Sequence, residues 1–261
     1  MLGPGWSQSS FMLPLDSENG NRGAPIQGLL IVDKPVGPSS MAVCARVRGA
    51  LRAGGAPKRV KVGHGGTLDP LASGVLVILC GKATPLCNRV MAGAKRYVAT
   101  VDLSAFTTTD DREGERQQVD VSHPPGEADI RQAVAGFVGE IMQRPPAFSA
   151  LKVGGRRAYD LARKGQAVQL EPRPVRIDGI DVVSYQWPDL VLDVRCGKGV
   201  YIRSLARDLG AALGTGGSLA GLRRTAVGNF TIEQSVGLED VPRVLVQEDL
   251  LPVDRWIDPT S

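Results

Sequence analysis

The chain has 261 residues, 43% of them hydrophobic, and a formal net charge of +4; that length can bury a full core as one domain or two. No apolar run approaches the ~20 residues that span a bilayer, and the first residues lack the basic start and apolar core of a secretory signal, so a membrane role is not expected. The four cysteines, Cys44, Cys80, Cys87 and Cys196, form no CxxC, and His64 and His123 are the only histidines, which argues against a zinc site and for free thiols in a reducing cytoplasm.

Residues 1–26, rich in Gly, Ser, Asn and Pro without periodicity, are expected to form a flexible leader. Residues 29–32 read as a short strand. Ser39 or Ser40 caps a helix whose apolar positions Val43, Val47, Ala50 and Leu51 follow a 3.6-residue period. Residues 75–80 and 97–103 read as strands, and the polar stretch 107–125 as a loop. Ile130, Val134 and Phe137 mark a helix ending near Gly139, and residues 156–164 a short basic helix. Residues 175–185 and 190–196 alternate as strands about a turn at Pro188. The clearest helix is 201–213, with Ile202, Leu205, Leu209 and Leu213 in one stripe. Interspersed strands and helices without a regular βαβ repeat give an α+β fold.

The positive charge is unevenly placed: residues 1–26 and 232–261 are net acidic, so the excess lies between them. Arg46, Arg48, Arg52, Lys58, Arg59 and Lys61 form one acid-poor cluster, and Arg144, Lys152, Arg156, Arg157, Arg163 and Lys164 another. Solvated faces would look the same, but two such clusters suit a polyanionic partner.

One carboxylate, Asp69, stands among turn formers in Gly63-His64-Gly65-Gly66-Thr67-Leu68-Asp69-Pro70-Leu71-Ala72-Ser73-Gly74, directly before an apolar strand. Glycines allow close backbone approach to a ligand, although Thr67 and Asp69 could equally serve their own turn before Pro70. The segment resembles the catalytic-aspartate motif of the TruB family of tRNA pseudouridine synthases, departing at Gly65 and Ser73, where the family has threonine. Further stretches agree in order. Residues 28–40 (with Lys34 and Pro35) resemble the family's opening motif, and Lys95-Arg96-Tyr97 its second. Residues 143–152 resemble a third, residues 199–210 the Arg-bearing motif, and Leu222-Arg223-Arg224-Thr225 the last.

The resemblance, covering roughly residues 27–235, implies a central mixed, mostly antiparallel sheet flanked by helices: a pseudouridine synthase catalytic domain over 27–235. Residues 236–261 are left as a short acidic C-terminal extension, too short for the RNA-binding PUA domain that many relatives carry. The implied reaction isomerises uridine to pseudouridine in the tRNA T loop, at position 55 in tRNA counting. It breaks the N-glycosidic bond, turns the uracil and rejoins it through C5, with no cofactor or metal. Asp69 is the implied catalytic carboxylate, whether it attacks the base, attacks C1′ or removes a ribose proton. Arg203 is its implied partner through paired N–H bonds, although a helix-flank surface charge fits the sequence too.

By the same resemblance Tyr97 is a further catalytic residue, stacking on the uracil with a hydroxyl that could help exchange the C5 proton. Tyr201 would contact the substrate beside Arg203 and Leu222 would line the pocket; core packing is the plain alternative for all three. His64 would sit against the RNA where the uridine flips out, and Lys34 and Pro35 would buttress the active loop. Residues 107–114 resemble a family loop, with Thr108 in place of its first aspartate and Asp111 matching the second, and are expected to give structural support. The expected partner is the T-arm stem-loop of tRNA, with no obligate protein partner and a cytoplasmic location. A guide-dependent synthase of the dyskerin kind and a catalytically idle RNA-binding protein are the competing readings.

Overall fold

The computed structural model describes residues 25–148, 152–153, 156–157 and 170–254. In chain order its strands and helices are β1 (Gln27–Lys34), α1 (Ser40–Ala53), β2 (Val62–His64), β3 (Ala72–Gly81), α2 (Cys87–Ala92), β4 (Lys95–Asp102), β5 (Ala105–Thr107), β6 (Arg116–Gln118), α3 (Glu127–Ala135), β7 (Gly139–Gln143), β8 (Lys152–Val153), β9 (Arg156–Arg157), β10 (Arg173–Gln186), β11 (Asp189–Cys196), α4 (Ile202–Leu213), β12 (Ser218–Val227), β13 (Phe230–Thr231) and β14 (Val236–Gly237). Ten strands form one sheet in the order β14-β1-β3-β12-β4-β11-β10-β7, with β2 on β3 and β13 on β12. Only β1–β14 and β3–β12 pair in parallel, so the sheet is mixed and mostly antiparallel, as expected.

β3 is a near-continuous apolar run because both of its faces are covered. Leu76, Ile78 and Cys80 pack with Val43, Val47 and Leu51 of α1, while Val75, Val77 and Leu79 pack with Leu29, Ile31, Val90 and Phe230. A separate core joins β4, β10 and β11 to α3 and α4 through Val101, Ile130, Ile177, Leu192, Leu205 and Leu209. α1 begins as its sequence demands: Ser39 Oγ accepts from Ala42 N at 3.2 Å, satisfying one open amide of the first turn. Residues 236–254 return along the sheet edge, where Val241, Leu245 and Leu250 are buried against the α1 core. Leu29 and Leu251 exchange two 2.9 Å backbone hydrogen bonds there.

Several local expectations change. The polar stretch 107–125 is not all loop, because β6 pairs with β5. Arg116 fastens that hairpin, donating to Asp102 and Ser104 at 2.6 Å each. α3 stops at Ala135: Gly136 follows, and Gly139 has φ +104°, outside the helical region. The helix expected from residue 156 begins instead as β9, paired with β8; residues 158–164 lie outside the described residues. No helix among the described residues is long and apolar enough to cross a membrane.

Candidate active site

The parallel junction of β3 and β12, with β4 on the other side of β12, organises the site. Register aligns Leu222 with Ala72 and Ala99, and Arg224 with Gly74 and Tyr97. The loop carrying Asp69 therefore enters β3 beside Tyr97, Leu222 and Arg224. Gly74 is required at this junction: its φ is +105°, and a Cβ there would lie 2.1 Å from the Arg224 carbonyl oxygen.

The loop is pinned through its backbone. Ser40 Oγ donates to Leu68 O and accepts from Leu68 N, both at 2.8 Å. Gly37 N donates to Pro70 O at 2.8 Å. Arg224, 1% exposed, donates to Val75 O at 2.8 Å, Gly66 O at 3.0 Å and Thr67 O at 3.3 Å. Lys34 is fully buried, and its Nζ donates to Pro35 O at 2.8 Å and Pro38 O at 3.0 Å. Burial lowers the Lys34 pKa to about 8; the nearby Asp69 charge opposes that shift and Arg224 reinforces it. Lys34 thus shapes the 35–38 turn, which in turn holds Pro70.

Arg203 lies in the first turn of α4 and is buried, with 10% of its side chain exposed. The stripe of Ile202, Leu205 and Leu209 left its other side free for solvent; two carboxylates and two carbonyls cover it instead. Nη2 meets Asp69 Oδ2 at 3.0 Å and Phe148 O at 2.9 Å. Nη1 meets Asp111 Oδ2 at 3.2 Å and Thr109 O at 3.3 Å. A buried guanidinium is tolerated when its donors are satisfied and its charge is matched.

Asp111 is itself oriented, its Oδ1 accepting from Thr109 Oγ1 at 2.6 Å and Glu113 N at 3.0 Å. The loop is tied to β12 where Leu219 exchanges 3.0 Å backbone hydrogen bonds with Asp110 and Arg112. Arg207 bridges Asp110 at 2.7 Å and Asp208 at 2.8 Å. Burial raises the Asp110 pKa, and Arg207 opposes it. Thr108, standing where the family loop has aspartate, still closes the loop by accepting from Glu115 N at 3.0 Å.

A cavity of about 880 Å³ opens over Asp69 and is lined by Tyr97, Tyr201, Arg203, Leu222 and Arg224, among others. Among the described residues Asp69 is the only carboxylate lining it, facing Lys95, Arg173, Lys198, Arg203 and Arg224. Its side chain is 42% exposed, so it can reach a ligand while held from behind. Burial pushes the Tyr97 phenol above its usual value, and Arg224 opposes this. Tyr201, at the start of α4, is fixed by a reciprocal pair with Gln143: its N donates to Oε1 at 2.8 Å, and its O accepts from Nε2 at 3.1 Å.

Five of the residues named from sequence thus meet around this space or its wall: Asp69, Tyr97, Tyr201, Arg203 and Leu222. Lys34 and Pro35 lie behind the loop, and His64 is not among the lining residues. His64 ends β2 opposite Ile78, and its buried Nδ1 has no hydrogen-bond partner among the described residues. Burial lowers its pKa, with Arg224 adding to the effect, so the imidazole is biased toward its neutral form. No site role was expected of Arg224 or Gln143, Ser40 was expected only as a possible helix cap, and Asp111 only as loop support. Arg224 stood within the last of the family-like motifs, but burial of an arginine has no signature in the chain.

The family model for the TruB family pseudouridylate synthase N-terminal domain matches residues 55–202, and that for the tRNA pseudouridylate synthase B C-terminal domain matches residues 203–260. The chain belongs to the TruB pseudouridylate synthase family. A tRNA pseudouridine synthase B of Mycolicibacterium paratuberculosis is 48% identical over 82% of this chain and 72% of its own. One of Phocaeicola vulgatus is 42% identical over 85% of this chain and 94% of its own.

Among solved structures, a Cbf5–Nop10–Gar1 complex matches with TM-score 0.62 and 31% identity, over 86% of this chain and 59% of that one. An H/ACA ribonucleoprotein bound to a substrate RNA containing 2′-deoxyuridine matches with TM-score 0.59 and 31% identity. The chain spans 52% of the length of that second structure's chain. The two TruB family segments meet inside α4, immediately before Arg203. Even so, β12 of the second lies between β3 and β4 of the first, and the site needs both.

Proposed function

We propose that this chain isomerises uridine to pseudouridine in the T loop of tRNA, at position 55, with residues 27–235 as the catalytic unit and Asp69 as the catalytic carboxylate. The reading places it in the cytoplasm, acting without a protein partner. The observation that carries it is Asp69 as the lone carboxylate, among the described residues, in a cation-lined cavity, fixed by a buried arginine. The curated relatives' shared name, tRNA pseudouridine synthase B, supports the substrate class.

The residues present match what the reaction needs. Cleaving the bond from C1′ to N1 and rejoining through C5 is internal to one nucleotide, so the protein must supply a carboxylate and confinement. Arg203 leaves one edge of Asp69 free to act as nucleophile or base. Tyr97 and Leu222 bound the space in which the detached uracil turns, and stacking on an aromatic ring is worth about 1–3 kcal/mol per base. The cationic rim attracts the phosphates of the flipped nucleotide, and flipping favours a loop target over a duplex.

The test is incubation of the pure protein with an unmodified tRNA transcript and with an isolated T-arm stem-loop, followed by mapping of pseudouridine. Conversion at the T-loop uridine of both, with kcat/KM within about tenfold of each other, is the expected result. No conversion without added proteins or a guide RNA would favour the guide-dependent reading. Binding without conversion would favour an RNA-binding role alone.

A further inference from the structure

Along the cavity lining, the start of β10 meets the turn between β11 and α4. The Arg173 guanidinium lies over the Tyr201 ring, 5.3 Å from its centroid. Its Nη2 also donates to Gly199 O at 3.1 Å. Gly199 has φ +86°, a conformation that glycine adopts without strain, and a Cβ there would reach 3.7 Å from Arg173 Nη2. Gly197 N donates to Arg176 O at 3.0 Å, closing the turn onto β10.

Arg173 is therefore held by a ring and one carbonyl, yet among the described residues it pairs with no carboxylate. That contrasts with Arg96, Arg116, Arg176, Arg195 and Arg223, each matched to an aspartate. Lys198, exposed on the same turn, is unpaired among the described residues as well and also lines the cavity. A guanidinium oriented by stacking, with most of its N–H fork free, is suited to planar recognition of phosphate.

We propose that Arg173 and Lys198 form a phosphate-binding lip on the cavity, with Arg173 gripping a backbone phosphate beside the flipped uridine and Tyr201 and Gly199 fixing its fork. This rests on the reading of the chain as an RNA-modifying enzyme. It gives Tyr201 a second part, as the platform of the phosphate clamp as well as a cavity wall.

The experiment measures kcat and KM on a T-arm stem-loop across a salt series for the wild type, Arg173→Gln and Lys198→Gln. The series is repeated with an RNA whose phosphate on either side of the target is a neutral methylphosphonate. Arg173→Gln should raise KM about tenfold, leave kcat within about twofold, and flatten the log–log salt slope by about 0.7–0.9. One of the two methylphosphonates should reproduce that loss and add nothing to it in the variant, as expected for a shared contact. Lys198→Gln, on an exposed turn, provides the same slope test should Arg173→Gln fail to fold.

If the wild type turns over while neither variant moves KM or the slope, the lip does not exist. A fall in kcat alone would make Arg173 a positioning residue for Tyr201 and overturn the phosphate contact, as would losses that add independently. No turnover by the wild type would sink the underlying reading, and this proposal with it.

Discussion

Asp69 and Arg203 meet at 3.0 Å across a gradient of exposure: 42% of the Asp69 side chain is open, against 10% of that of Arg203. The carboxylate is the accessible end of a buried charge network whose far end is Asp111, 3% exposed at its side chain. On the proposed reading, removing water from the rear of the pair while leaving its front open would fix the Asp69 oxygen that is not bound to Arg203 for chemistry. It also makes the network directional, since substrate can reach Asp69 without disturbing Asp111.

Asp69→Asn should fold and bind RNA nearly as the wild type does but lose detectable turnover, because an amide serves as neither nucleophile nor base. Arg203→Lys should lose at least about tenfold in kcat, since a point charge cannot span two carboxylates and two carbonyls in one plane. Single-turnover assays on the stem-loop read both. Wild-type rates in either variant would break the assignment of this pair.

Asp111→Asn tests the rear of the network. Breaking a buried ion pair costs roughly 3–5 kcal/mol. The amide oxygen can still accept from Thr109 Oγ1 and Glu113 N, so the loss in urea denaturation should fall at the lower end. The kcat should drop while KM changes little, because Asp111 reaches the substrate only through Arg203. A rise in KM with unchanged kcat would refute this order of contacts.

Lys34 supplies a pH signature. Its folded pKa, about 8, lies below the ordinary 10.5. Between those values the unfolded chain holds a proton that the folded chain has lost, so this group makes stability rise with pH across that window; below it both states are protonated and the contribution is flat. The stability difference between wild type and Lys34→Met, followed by denaturant titration from pH 7 to 10.5, should therefore grow in favour of the wild type above about pH 8. A difference independent of pH would place the Lys34 pKa at its ordinary value.

Arg224→Met should loosen the Asp69 loop from beneath. A buried carbonyl left without a donor costs about 1–3 kcal/mol, and Val75 O lies in a fully covered strand. Stability should fall by about 2 kcal/mol or more, with a larger relative loss in kcat than in RNA affinity. Melting temperature together with kcat provides the check, and an unchanged kcat would show that the loop is held without Arg224.

How far the chain itself disclosed this arrangement depended on the kind of signal. β3 announced itself through an unbroken apolar run, and α1 and α4 through apolar spacing, because burial imposes those patterns locally. Asp69 stood out through its glycine-rich loop. Arg203 was marked only by the family-like motif, and the burial of Arg203 and Arg224 by nothing, since an arginine in a helix or strand looks the same whether it is solvated or buried. Only tertiary neighbours such as Asp111 and the Val75 carbonyl make the difference. β6 was missed because its three residues, Arg116, Gln117 and Gln118, are all polar and exposed and so carry no apolar alternation.

The basic cluster near α1 divides into two sets with different expected behaviour. Arg46 donates to Glu239 O and Val241 O at 3.2 Å each, and Arg48 to Val62 O at 3.1 Å. These two clip the 236–254 segment and β2 to α1, so neutralising them tests packing more than RNA affinity. Lys58, Arg59 and Lys61 are exposed, and their side chains make no hydrogen bond or ion pair among the described residues. Arg46→Gln should therefore lower the melting temperature and leave the salt dependence of RNA binding nearly unchanged. The combined Lys58, Arg59 and Lys61 to Gln variant should do the reverse, flattening the log–log slope by about 0.7–0.9 for each phosphate that is no longer neutralised. Thermal melts and salt titrations on the T-arm stem-loop separate the two sets. If the second variant keeps the wild-type slope, this face is solvated and the RNA path runs elsewhere across the cavity rim.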